Sequence, residues 1–124
     1  MNNSLILLYI EDDTSIREEM MDILELDFEH IYVAKNGQEG LEMFQKFHPD
    51  IIISDIQMPL MDGIRMSQEI LSIDPDAKII LTTAFNEQNY LNKAKEIGIK
   101  AYINKPVNIN ELFKKIEALT APKK

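Results

Sequence analysis

Ile51-Ile52-Ile53-Ser54-Asp55-Ile56-Gln57-Met58-Pro59-Leu60-Met61-Asp62-Gly63 passes abruptly from three β-branched residues to a carboxylate, then through a proline to an Asp-Gly pair. A run of isoleucine without polar alternation reads as a strand covered on both faces, the condition of a strand inside a parallel sheet flanked by helices. The theme recurs outward. Leu5 to Ile10 is continuously apolar before Glu11-Asp12-Asp13, and Ile79-Ile80-Leu81 runs into Thr82-Thr83-Ala84. Weaker strands fit Ile31 to Ala34 and Ala101 to Ile103, the latter leading into Asn104-Lys105-Pro106.

Helical spacing fills the gaps. The stripes are Ile16, Met20, Ile23 and Leu24; Leu41 and Phe44; Ile64, Ser67, Ile70 and Leu71; Tyr90, Leu91, Ala94 and Ile97; and Leu112, Ile116 and Leu119. Asn108 with Glu111 predicts a capping box, and Asn86 is placed to cap the fourth helix. Asn36-Gly37 and Asp62-Gly63 read as turns, and Asp74-Pro75-Asp76 stops the third helix. The pattern predicts an α/β fold, a doubly wound parallel sheet of five strands with five helices. Residues 1–124 form a single domain on this reading, with a core over about 5–119 and a tail or linker start at 120–124.

Composition narrows the function. The chain has 124 residues, enough for one domain, and is 45% hydrophobic, enough for a core. The absence of cysteine excludes disulfides and thiolate metal sites and suits a reducing compartment such as the cytoplasm. A formal net charge of −8 is the opposite of what a nucleic-acid binder needs, and Lys123-Lys124 reads as a linker rather than a binding arm. The early apolar run is too short to span a bilayer, so no membrane association is expected.

In doubly wound sheets, ligand sites form beyond the carboxyl ends of the strands. The polar residues here stand at those ends: Glu11-Asp12-Asp13, Ser54-Asp55, Thr82-Thr83-Ala84 and Asn104-Lys105-Pro106. Two carboxylates about 4 Å apart repel by about 4 kcal/mol at an effective dielectric of about 20. Mg²⁺, which prefers hard oxygen ligands, would offset that repulsion, and Lys105 would add a second positive charge. An aspartate beside both is a competent nucleophile toward a phosphoryl group. Each residue also has a plainer reading. Asp12 and Asp13 suit a helix N-terminus, Asp55 a turn, Thr83 a strand, and Lys105 an open surface. Their gathering on one edge favours the chemical reading. His30 and His48 fall outside that edge and read as structural or surface residues.

Taken in order, the acid pair, Ser54-Asp55-Ile56-Gln57-Met58-Pro59 with Met61-Asp62-Gly63, Thr83-Ala84 and Lys105-Pro106 resemble the response-regulator receiver domains of bacterial two-component systems, over about Leu5 to Leu119. The resemblance implies the flavodoxin-like (CheY-like) strand order 2-1-3-4-5. It implies that Asp55 accepts a phosphoryl group. Asp12, Asp55, the Gln57 backbone carbonyl and Glu11, the last through water, would hold Mg²⁺, with Mn²⁺ as a substitute. Lys105 would contact the phosphoryl oxygens, ahead of a cis bond to Pro106. Thr83 would swing its hydroxyl onto the phosphoryl group, Tyr102 would turn inward behind it, and the small Ala84 would keep the site open, with Ala84, Pro106 and Gly63 as structural positions. Gln57 and Phe85 would set the phosphoryl lifetime, with slow to moderate autodephosphorylation. The changing face would be the fourth helix, fifth strand and fifth helix, around Tyr90, Tyr102 and Phe113.

Partners implied are a sensor histidine kinase or histidine phosphotransfer domain upstream. Downstream stands a separate protein or a covalently linked output domain. The chain would be a monomer or a phosphorylation-dependent dimer, with no substrate turnover beyond its own phosphorylation and dephosphorylation. A stand-alone protein and a receiver cut from a longer regulator or hybrid kinase remain equally open. An aspartyl-phosphate phosphatase would want an acid at position 57, where Gln57 stands. A flavin module would want a phosphate-cradling loop where the acids stand. A pseudo-receiver would have lost the acceptor, the acid pair or the lysine.

Overall fold

The structure is a computed structural model that describes residues 4–84 and 87–121. Ten elements alternate along the chain: β1 Ile6–Ile10, α1 Thr14–Leu24, β2 His30–Ala34, α2 Gly37–Phe47, β3 Ile51–Asp55, α3 Gly63–Ile73, β4 Ile79–Thr83, α4 Gln88–Glu96, β5 Ala101–Asn104 and α5 Ile109–Thr120. The strands form one parallel sheet in the order β2-β1-β3-β4-β5. The chain leaves β1 toward β2, then returns to place β3 on the other side of β1. The crevice between the ends of β1 and β3 is therefore the topological switch point.

Continuous apolar strands follow from two separate cores. Leu7, Tyr9, Ile51, Ile53, Ile80 and Ile103 face α1 and α5, where they meet Met20, Leu24, Leu112 and Ile116. Leu8, Ile10, Ile52 and Leu81 face the opposite layer, with Phe44, Ile64, Met66, Ile70 and Ala94. Strands buried on both sides have no use for polar alternation, which is why β3 and β4 are buried at every residue. Two stripe residues depart from expectation: Ile16 and Tyr90 keep helical spacing yet stay exposed. Phe113 packs edge-on against Phe28 on the α1–α5 side, whereas Tyr102 packs in the other layer. These two expected switch residues thus lie on different faces of the sheet.

Four helices begin on a side chain that accepts a backbone N–H three residues on. The pairs are Asp13 with Ile16, Asn36 with Glu39, Asp62 with Arg65, and Asn108 with Glu111. Such caps contribute about 1 kcal/mol each. Asn36-Gly37 and Asp62-Gly63 are therefore helix starts rather than the turns the sequence suggests, because Asx residues serve both roles. The glycine after each cap has a packing reason. The Gly37 N–H donates to Met61 O, and the Gly63 N–H donates to Ile56 O. A Cβ on Gly37 would stand 2.2 Å from Met61 O, and one on Gly63 would stand 2.2 Å from Asp55 O. Asp74 ends α3 as expected, and its carboxylate accepts the Asp76 N–H. Asn86 lies outside the described residues, and Glu87 stands at the cap position of α4 without a side-chain cap bond.

Gly63→Ala forces the β3 carboxyl end and the α3 start apart. The expected loss is about 2 kcal/mol or more of unfolding free energy by urea denaturation. An alanine variant as stable as the parent contradicts this packing.

Candidate functional site

Register alone brings the acids together. Ile10 pairs with Ser54, so Glu11 and Asp55 come one step further along neighbouring strands. The Glu11 N–H extends the ladder to Ala34 O at 3.1 Å. Beyond it the chain turns into α1, and the three acids of this loop separate in role. Asp13 is the helix cap, as its plainer reading had it. Asp12 turns toward Asp55. Carboxylate oxygens of Glu11, Asp12 and Asp55 lie within 4.8 Å of one another.

Asp55 ends β3 and is 7% exposed. Its Oδ1 accepts the Ile56 N–H at 2.8 Å and the Lys105 ammonium at 2.8 Å. Lys105 reaches inward from the end of β5, where its backbone N–H donates to Thr83 O at 2.8 Å and its bond to Pro106 is cis. Burial works against the Lys105 charge. The hydrogen bond and charge of Asp55, with Glu11 and Glu87 behind them, outweigh it, and the ammonium holds its proton more tightly than an ordinary lysine.

Glu11 is the strained member. It is 3% exposed, and burial pushes its carboxyl up to about 7; the Asp55 charge adds to the rise, while the Asp13 N–H and Lys105 oppose it. The same crowding raises the buried Tyr9 phenol, through burial first and then the Glu11 and Asp55 charges. Three carboxylates facing one ammonium leave uncompensated negative charge lined entirely by hard oxygen donors. That donor set fits a small divalent cation of the Mg²⁺ type and does not suit a thiophilic metal.

The remaining expected residues are placed as follows. Thr83 is buried and its hydroxyl bonds to Asn104 Oδ1 at 3.1 Å, so it is not engaged with Asp55. Thr82, not Thr83, is the register partner of Asp55. Ala84 is half-buried, and its N–H donates to the Glu87 carboxylate at 2.5 Å. Tyr102 is half-buried and donates its hydroxyl to Ile99 O. Gln57 is exposed on the loop after Asp55, Gly63 closes that loop, and Phe85 lies outside the described residues. His30, at the start of β2, and His48, the left-handed cap of α2, are both exposed and belong to neither the acid cluster nor its lysine.

Two contributors escaped the sequence reading. Arg17 of α1 donates to Glu11 O at 2.9 Å, which pins the acidic loop from behind. Glu87 is a buried carboxylate at the start of α4. Beside Glu11 and Lys105 opens a cavity of about 340 Å³ walled by Ile16, Ile23, Val107 and Ile109, which accounts for the exposure of Ile16.

Comparison with known proteins agrees with this geometry. The family model of the response regulator receiver domain matches residues 7–117. The chain is 37% identical over 100 residues to a chemotaxis protein CheY of Halobacterium salinarum, covering 81% of this chain and 83% of that protein. It is 36% identical over 112 residues to the transcriptional regulatory protein PdtaR of Mycobacterium tuberculosis, covering 90% of this chain but only 54% of that protein. A response regulator receiver domain protein from Clostridium thermocellum superposes with a TM-score of 0.88 at 27% identity, over 94% of both chains. With its acids, threonine and lysine gathered on the rim of a 2-1-3-4-5 sheet, the chain belongs to the response regulator receiver domains of two-component signalling.

Proposed function

We propose that Asp55 accepts a phosphoryl group from the phosphohistidine of a sensor kinase or histidine phosphotransfer domain. The observation that carries this reading is the contact of the Lys105 ammonium with Asp55 Oδ1 at 2.8 Å inside the acid cluster. In the reaction an Asp55 carboxylate oxygen attacks phosphorus, the P–N bond to the donor imidazole breaks, and the imidazole leaves. Mg²⁺, held by Glu11, Asp12, Asp55 and the Gln57 backbone carbonyl, would supply charge neutralisation at the phosphoryl oxygens. Mn²⁺ presents similar oxygen chemistry and would substitute.

The chain's own residues do the rest. Lys105 already lies against the attacking carboxylate, so it meets the incoming oxygens without reorganising. Arg17 holds the acidic loop through its backbone carbonyls and leaves the carboxylates free. The cavity beside Glu11 gives a donor protein an apolar foothold next to the reacting group. Phosphorylation adds about −1.5 to −2 charges and three strong acceptors. The Thr83 hydroxyl then exchanges its neutral bond to Asn104 for a charge-assisted one, and Tyr102 follows into the space. Gln57, exposed beside the acceptor, orients the water that later hydrolyses the acyl phosphate. Downstream, the altered α4–β5–α5 face meets a separate protein or a linked output domain. Work in the cytoplasm fits this family role, and no helix among the described residues is long and apolar enough to cross a membrane.

Incubation with acetyl phosphate and Mg²⁺ should add one phosphoryl group to the intact mass of the chain and none to Asp55→Asn, with chelation abolishing the gain. Equal labelling of both chains would remove Asp55 from its role.

A second outcome concerns the cation. Glu11 must be ionised to ligate, yet its proton is retained up to about 7. Below that pH the proton competes with the cation, and apparent affinity falls by up to about tenfold per unit; above it the dependence levels off. Calorimetric Mg²⁺ titrations at about pH 6 and about pH 8 should differ by about tenfold in the parent chain. Glu11→Gln should bind more weakly and without that slope. A pH-independent affinity in the parent contradicts Glu11 as a ligand.

A further inference from the structure

Among the described residues, the buried acids are Glu11, Asp55 and Glu87, and the phosphotransfer chemistry uses only the first two. Glu87 is 3% exposed. Its Oε1 accepts the Ala84 N–H at 2.5 Å, its own N–H donates to Ala84 O at 3.2 Å, and its carbonyl accepts the Leu91 N–H to start α4. The four other helices are capped by a side chain that turns onto their own first N–H groups. Glu87 holds the same position on α4 and makes no such bond. Its carboxylate is turned back to the end of β4 instead.

That end belongs to the reaction site. Asp55 pairs with Thr82, and Ala84 is the first residue beyond β4 on the same rim. The Lys105 backbone N–H is bonded to Thr83 O, the carbonyl of the peptide whose N–H is that of Ala84. Ala84 thus stands two residues beyond the register partner of Asp55, and its N–H is already taken by Glu87. A buried carboxylate held by a single N–H among the described residues is a costly arrangement, eased by a cation nearby. Lys105 feels the Glu87 charge as well as those of Asp55 and Glu11.

We propose that Glu87 is an internal counter-ligand of the site. In the unphosphorylated chain its carboxylate occupies the Ala84 N–H. When Asp55 carries a phosphoryl group, like-charge repulsion and loss of its share of Lys105 expel that carboxylate. The freed N–H then bonds a phosphoryl oxygen, and the start of α4 is released from the end of β4. Glu87 is thus a positioning residue that couples the charge on Asp55 to the helix at the output face, and the proposal rests on Asp55 being the acceptor.

Beryllofluoride with Mg²⁺, a stable mimic of the phosphoryl group, is the probe. Its affinity is measured for the parent chain and for Glu87→Gln, which keeps the shape and an acceptor oxygen but removes the charge. In the parent, the Ala84 amide and the Glu87 side-chain carboxyl carbon are followed by NMR through the same titration. The expected result is about fivefold to tenfold tighter binding by Glu87→Gln, from relief of like-charge repulsion. In the parent, the Glu87 carboxyl and Ala84 amide resonances should shift together as the probe binds. Binding by the parent with no gain in Glu87→Gln, or with an unmoved Glu87 carboxyl resonance, overturns the role of Glu87 while leaving Asp55 as acceptor. Should the variant not fold, the two parent resonances decide alone. A parent chain that fails to bind the probe overturns both readings.

Discussion

The Lys105 ammonium against Asp55 Oδ1, at 2.8 Å, is the contact on which the functional rim depends. It brings a positive charge from the end of β5 to a carboxylate at the end of β3, across the intervening β4. Without it, Glu11, Asp12 and Asp55 would face one another with no cation bonded to their carboxylates among the described residues, the Arg17 guanidinium being held on the loop carbonyls. With it, the balance is still incomplete, and burial, joined by the Asp55 charge, pushes the Glu11 carboxyl up to about 7. That residual imbalance suits a divalent cation, and it is the ground on which we propose chemistry that develops negative charge on oxygen. An apolar or fully paired edge would be more stable and would do nothing.

The scaffold supplies position rather than chemistry. Two cores on opposite faces fix β1, β3 and β4 against sliding, because a one-residue slip would exchange every Leu and Ile between layers. Register then sets Glu11 beside Asp55, and Gly63 closes against the Asp55 carbonyl so tightly that no side chain fits. Strain is carried by the loop between β3 and α3. Leu60 adopts φ 68° and is 85% exposed, a left-handed conformation that costs a non-glycine residue about 1 kcal/mol. The loop is thereby held in a tight path between the acceptor and the α3 cap.

What was legible in the sequence follows from what has a local signature. The five strands were readable because strands covered on both faces must be apolar throughout, and the acids, Thr83 and Lys105 were readable because they interrupt those runs at one end. The boundaries moved by one residue at strand starts, where β1 begins at Ile6 rather than Leu5 and β2 takes in His30. Asn36-Gly37 and Asp62-Gly63 misled because an Asx side chain satisfies a turn and a helix start with the same oxygen. The burial of Glu87 had no local signal, since an acid before a helix is ordinarily solvated at the dipole. Arg17 was equally silent, although an arginine one turn beyond Asp13 on the same helix is placed to reach the carbonyls of the acidic loop. The exposure of Ile16 depended on where the first turn of α1 lies relative to the cavity beside Lys105, which is a property of the assembled layers.

The central claim is that Lys105 and Asp55 are energetically coupled inside the acid cluster. A double-mutant cycle measures it directly, with urea denaturation of the parent, Lys105→Met, Asp55→Asn and the double variant in chelator. A coupling energy of about 1–3 kcal/mol is predicted for a contact this short and this shielded. Additive effects, with coupling below about 0.3 kcal/mol, would contradict the account.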